Sequence, residues 1–229
     1  MIKISALKQI SVFSAILVLV GSILYVSGIG SIPDIGKLMH DPVNDSEKIF
    51  SVLRESSSNL LAYGWGGVLV TLATSVFFFC LGARTESKMS WFEVSKFLGI
   101  VGAILCLLGF VNVALASMYY LLPGVDSFEK SALPFYVTAV YASIQSQQAI
   151  WMLGSFISYS LAVGIISVGN LLNNKEHVAR NWLGIMVAIC GVFWIGPFIS
   201  YQFPPALVIA NVFLCCGWCI WYSLDEDNF

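Results

Sequence analysis

Residues 97–122 read FLGIVGAILCLLGFVNVALASMYYLL, a run without a single Asp, Glu, Lys, Arg or His. A helix rises 1.5 Å per residue, so about 20 apolar residues cross the roughly 30 Å hydrocarbon core of a bilayer. Hydrocarbon offers no water to the backbone, so a run of this kind folds as one helix whose N–H and C=O groups satisfy each other. Working outward, five more runs of the same character occupy residues 9–30, 59–83, 149–172, 182–201 and 204–224, and none of them contains an ionisable side chain. The fold class that follows is all-α, a polytopic transmembrane bundle of six spans forming one integral membrane domain over residues 1–229. Composition agrees, with 58% hydrophobic and 10% charged residues against roughly 25% charged in an average soluble domain.

The first run follows Lys3 and Lys8 and has the outline of a signal peptide. At about 20 residues it exceeds the 7 to 15 of a cleaved apolar region, so it is expected to persist as the first span. Orientation follows from basic residues, which concentrate on the cytoplasmic side. With the N-terminus inside, the short inner segments hold Lys3, Lys8, Arg84, Lys88, Lys96, Lys175 and Arg180. The outer segments, 31–58 and 123–148, hold Lys37, Lys48, Arg54 and Lys130 over much longer stretches. Both termini are therefore expected in the cytoplasm, and the location is a plasma or inner membrane.

Within the first outer segment, Asp45 or Ser46 is placed to cap a short amphipathic helix whose stripe is Ile49, Phe50, Leu53 and Leu60. Such a helix lies on the membrane surface or caps the bundle. The stretch from Pro134 through Tyr136, Tyr141 and Ile144 extends the fourth span outward, and Asn44-Asp45-Ser46 has the form of a glycosylation acceptor.

The chemistry is mostly eliminated by what the spans omit. The two histidines, His40 and His177, fall in an outer segment and an inner turn, so neither ligates an intramembrane haem. Proton relays and voltage sensors keep an ionisable residue at depth, and the six runs have none. The outer residues Asp34, His40, Asp41, Asp45 and Glu47 show no metal-ligand spacing. A net charge of −2 gives no attraction to nucleic acid. No metal or cofactor is expected.

Two constellations remain. Cys216-Gly217-Trp218-Cys219 puts two thiols on one helix face, the spacing of a redox pair or a soft-metal site, although an apolar surround makes thiols inert and favours packing. All six cysteines fall in or at the ends of apolar runs, which is no secreted disulfide framework. The buried amides Asn112, Asn170 and Asn211 need hydrogen bonds to a neighbouring helix or to a ligand in a cavity. Of these, Asn112 and Asn211 are the candidate ligand-binding residues. Small residues recur four apart at Gly67, Thr71 and Ser75, at Gly154, Ser158 and Ala162, and at Gly184 and Ala188, ridges that permit close helix approach.

The segment 161–196 carries Gly169-Asn170-Leu171-Leu172 at the end of one apolar helix, a short basic turn, and Ala179-Arg180-Asn181-Trp182-Leu183-Gly184 opening the next. It resembles the later part of a bacterial family of six-helix integral membrane proteins, a domain of unknown function. The sequence departs from that pattern at Arg180-Asn181, where a proline is expected near the turn. The resemblance implies the six-helix layout with a long outer loop after the first helix, and it implies no activity.

Together these readings point to a non-enzymatic membrane protein that acts by binding, as an accessory subunit beside other membrane proteins or its own copies, or as a receptor for a small apolar ligand. The aromatic rims, among them Tyr119, Tyr120, Trp151, Tyr201, Trp221 and Tyr222, suit a protein anchored in the lipid bilayer. The alternatives are a small-solute permease lined by Asn112 and Asn211, and a thiol oxidoreductase using Cys216 and Cys219.

Overall fold

The computed structural model describes residues 4–29, 45–84, 90–121, 132–173, 177–195 and 205–224, and every regular element among them is helical. Helix α1 is Ile4–Ile29, α2 is Ser46–Glu55, α3 is Ser57–Arg84 and α4 is Ser90–Leu121. Helix α5, Leu133–Ser155, passes through a π-helical turn, Phe156–Ala162, into α6, Val163–Asn173. Helix α7, Val178–Gly191, ends in a 3-10 turn, Val192–Ile195, and α8 is Pro205–Leu224. Asp34, His40, Asp41, Asn44, Lys175, Tyr201 and the outer stretches 31–44 and 123–131 lie outside the described residues, as do the side chains of Tyr119, Tyr120 and Tyr141.

Among the described residues, five stretches are long and apolar enough to cross a membrane: Ala6–Gly28, Ser57–Leu81, Trp91–Leu115, Ala149–Leu172 and Val178–Ile195. The apolar part of α8, Ile209–Leu224, is shorter. Two of the shifted boundaries bring charged residues into a span. The third span starts near Trp91 instead of 97, so that Glu93 and Lys96 ride on its first turns as an i,i+3 ion pair at 3.6 Å. The fifth starts at Val178, which draws Arg180 out of the expected short inner segment and into the bundle. There it is 2% exposed, its guanidinium lying 4.2 Å from the ring centroid of Tyr222 on α8. A desolvated guanidinium over an aromatic face retains much of its electrostatic stabilisation, and the long stem packs as an apolar side chain. Ahead of it, His177 takes a left-handed φ of 55° at the helix start, a region that histidine enters more readily than bulky residues do.

Helix α2 takes its stripe from Ile49 and Leu53, which are buried with Leu60, Leu133 and Val137 beside Phe50 and Tyr136. It therefore docks on the first turns of α5, while Glu47, Lys48, Arg54 and Glu55 face outward. Asp45 stands at its N-cap without a side-chain capping bond, contrary to the expected cap.

The main core is drawn together where glycines let backbones touch, since association in lipid rests on close packing and not on a hydrophobic drive. Gly66 on α3 meets α1 so closely that an added Cβ would stand 2.9 Å from the Gly21 carbonyl oxygen. Between α4 and α5, a Cβ on Gly102 would lie 2.7 Å from the Gly154 oxygen, and one on Gly154 2.6 Å from the Gly102 oxygen. Above these contacts Tyr25, Tyr63, Phe110, Trp151 and Trp194 form one aromatic cluster contributed by four helices and the 3-10 turn. Phe110 and Trp151 stack at 5.3 Å, and Trp194 meets Trp151 edge-on. A second cluster, Phe77, Phe78, Trp218 and Tyr222, ties α3 to α8.

Candidate ligand groove

Helices α6 and α7 pack against each other where both carry small residues. A Cβ on Gly164 would lie 2.9 Å from the Ala188 Cβ, and the Ser160 hydroxyl, leaving the π turn, donates to the Ala188 carbonyl at 2.6 Å. Outside this seam the branched side chains Leu161, Val168, Leu172, Ile189 and Val192 are exposed and stand apart. The result is a groove of about 620 Å³ along the bundle perimeter, lined almost wholly by apolar atoms. Its size falls within the roughly 300 to 1,000 Å³ of small-molecule sites. Trp91 closes one end by packing on Gly169, where any side chain would meet the indole. The Trp91 Nε1 is buried with no hydrogen-bond partner. Because the candidate span Trp91–Leu115 begins at this residue, this indole N–H sits at the end of a membrane-crossing stretch. A π turn widens the helix and is frequent beside functional sites; here it supplies Phe156, Ser160 and Leu161 to the groove wall.

Neither candidate amide lines this groove. Asn112 is exposed, and its Nδ2 donates to the Leu108 carbonyl of its own helix at 2.8 Å, where a bond to a neighbouring helix was expected. An asparagine on the perimeter satisfies itself by bonding back one turn. Asn211 is fully buried, its Oδ1 accepting from Trp194 Nε1 and its Nδ2 donating to the Val187 carbonyl, both at 2.7 Å. It clamps α8 to α7 and the 3-10 turn. Asn170 is half-buried on α6. The structure thus separates the two amides instead of bringing them to one cavity.

Cys216 and Cys219 are both buried and both free thiols. Cys216 Sγ lies 3.2 Å from Ser22 Oγ on α1. Among the described residues no group of three or more His, Cys, Asp or Glu is placed to hold a metal ion. With Cys80, Cys106, Cys215, Cys216 and Cys219 all buried, a membrane-permeant maleimide is expected to label none of these five until the protein is denatured. Rapid labelling of Cys216 or Cys219 in the folded protein, read by intact mass, would point instead to an accessible redox pair.

The groove residues were not singled out in the sequence. The ridge Gly184 and Ala188 was visible, but its partner Gly164 belongs to a helix whose face is reset by the π turn, which has no evident sequence signature. Compared with family models, with curated proteins and with solved structures, the chain matches none. What its apolar helices define is a class, the membrane-embedded α-helical proteins of several spans.

Proposed function

We propose that this is a six-span, non-enzymatic protein of the plasma or inner membrane that acts by binding, holding an apolar ligand in the groove between α6 and α7. The single observation that carries the reading is that open apolar groove with an unpartnered indole N–H at one end. On this reading α8 is the sixth span, since its 20 residues reach about 30 Å at the helical rise. Both termini are then cytoplasmic, and α2 caps the outer end. The ligand is elongated and amphiphilic, with an apolar chain along the groove and a hydrogen-bond acceptor toward Trp91.

Binding is favoured over solute transport because the amides are committed elsewhere. Asn112 bonds its own helix and both ends of the Asn211 amide are used, which leaves neither to line a polar path. The test is a Val168→Trp variant, which fills the middle of the groove from a side chain that is 45% exposed and so leaves the core intact. Native mass spectrometry of the wild type, purified in mild detergent, is expected to show a bound lipid-like adduct, with at least about tenfold less on the variant, equivalent to roughly 1.4 kcal/mol. Equal retention by a folded Val168→Trp protein would reject the groove as the site.

A further inference from the structure

A second, smaller space lies among the helices, independent of the groove. It measures about 20 Å³ and touches Tyr25, Gly67, Phe110, Ser155, Tyr159 and Trp194, so that α1, α3, α4, α5, the π turn and the 3-10 turn all meet there. That volume slightly exceeds the roughly 10 to 15 Å³ that one water needs. No larger ligand fits. Three of its walls carry hydroxyls, and their bonding is incomplete. The Tyr25 side chain is 3% exposed and its hydroxyl has no hydrogen-bond partner. The Tyr159 hydroxyl reaches Thr74 only at 3.5 Å, the outer limit of a useful bond. Ser155 Oγ lies 3.3 Å from Cys106 Sγ, a weak partner. The π turn is what carries Tyr159 here, because its wide winding buries Ser158, Tyr159 and Ser160 in succession.

We infer that this cavity is a binding site for one water molecule that bridges the hydroxyls of Tyr25 and Tyr159, with Ser155 as a third partner. Its walls are mostly apolar, with Val70 and Val212 among them, but three hydroxyl-bearing side chains stand at the same space, and two to four hydrogen-bonding groups are what a buried water requires. In a membrane-crossing bundle the alternative is a hydroxyl stranded away from solvent. The water thus joins α1 to the π turn.

Two measurements test the site in the full-length protein. In bilayers, water-edited solid-state NMR with labelled tyrosine is expected to show magnetisation passing from water to both Tyr25 and Tyr159; a dry pair overturns the inference. In detergent, Tyr25→Phe and Tyr159→Phe are each expected to lower the Tm by about 2 to 4 °C, and the double variant no further than either single. Additive losses, or a Tm that rises in Tyr25→Phe, overturn it, since removing an idle hydroxyl from a dry cavity is stabilising. A direct bond from Tyr25 to the stacked Tyr63, whose ring centroid is 4.8 Å away, would give coupling to Tyr63→Phe and none to Tyr159→Phe.

Discussion

A Gly154→Leu variant is expected to lose the folded bundle or to melt at least about 6 to 12 °C below the wild type. The estimate follows from what the new side chain meets. Its Cβ would stand 2.6 Å from the Gly102 carbonyl oxygen and 2.7 Å from the Cys106 amide nitrogen, and both are backbone atoms of α4. A flexible side chain swings aside, but a helix backbone moves only as a whole. Separating α4 from α5 also breaks the Cys106 contacts to the Trp151 carbonyl and to Ser155 Oγ, each 3.3 Å, and loosens the Phe110–Trp151 stack. Overpacking a core costs about 1 to 3 kcal/mol where side chains can give way, so a backbone clash made from both sides is placed at 3 kcal/mol or more. For a chain of this size each kcal/mol is worth about 2 to 4 °C. Thermal unfolding in detergent, with size exclusion to detect aggregation, reads the result. Gly217→Leu is the matched control, because nothing lies within 4 Å of a Cβ at that position. If the two variants melt alike, close approach at Gly154 does not hold α4 to α5.

The contrast between these glycines marks what the sequence could convey. Apolar run length and the absence of charge identify membrane-crossing helices before any fold is known, because hydrocarbon imposes one solution on the backbone. The stripe Ile49, Phe50, Leu53 was legible for a similar reason, since its polar neighbours leave a helix one face to bury. Facing is another matter. Inside a span almost every residue is apolar, so periodicity does not separate the buried side from the side turned to lipid. Gly154 was legible as part of a ridge with Ser158 and Ala162, but not what it faces; it meets a backbone, whereas a Cβ on Gly217 meets nothing. Arg180 was placed in a short inner segment ahead of the span, whereas α7 begins early enough to seat it on Tyr222. The groove depends on the π turn at Phe156–Ala162, one residue of extra winding that shifts which side chains of α6 share a face.

The amides carry the same lesson into energetics. An Asn211→Leu variant is expected to lose about 2 to 3 kcal/mol of stability, a fall in Tm of roughly 4 to 12 °C. Leucine nearly matches asparagine in length but neither accepts from Trp194 Nε1 nor donates to the Val187 carbonyl, the two bonds of 2.7 Å that Asn211 makes. Polar contacts between membrane helices average only about 0.6 kcal/mol, because a side chain freed in the membrane finds another partner. Trp194 has less room to do so. Its indole is 2% exposed and wedged edge-on against Trp151 at 5.3 Å, so the N–H is stranded and its desolvation, not the lost bond, dominates. The Val187 carbonyl sits within α7 and suffers less. The same substitution at Asn112 should leave the Tm unchanged or raise it, because that amide bonds its own helix on the exposed perimeter and leucine suits lipid better. Thermal unfolding of the two variants side by side decides the matter. Equal losses would mean that both amides act as interhelical ties, as their sequence contexts alone suggest; a loss confined to Asn211 identifies the clamp that fixes α8 against α7, the helix that forms one wall of the groove.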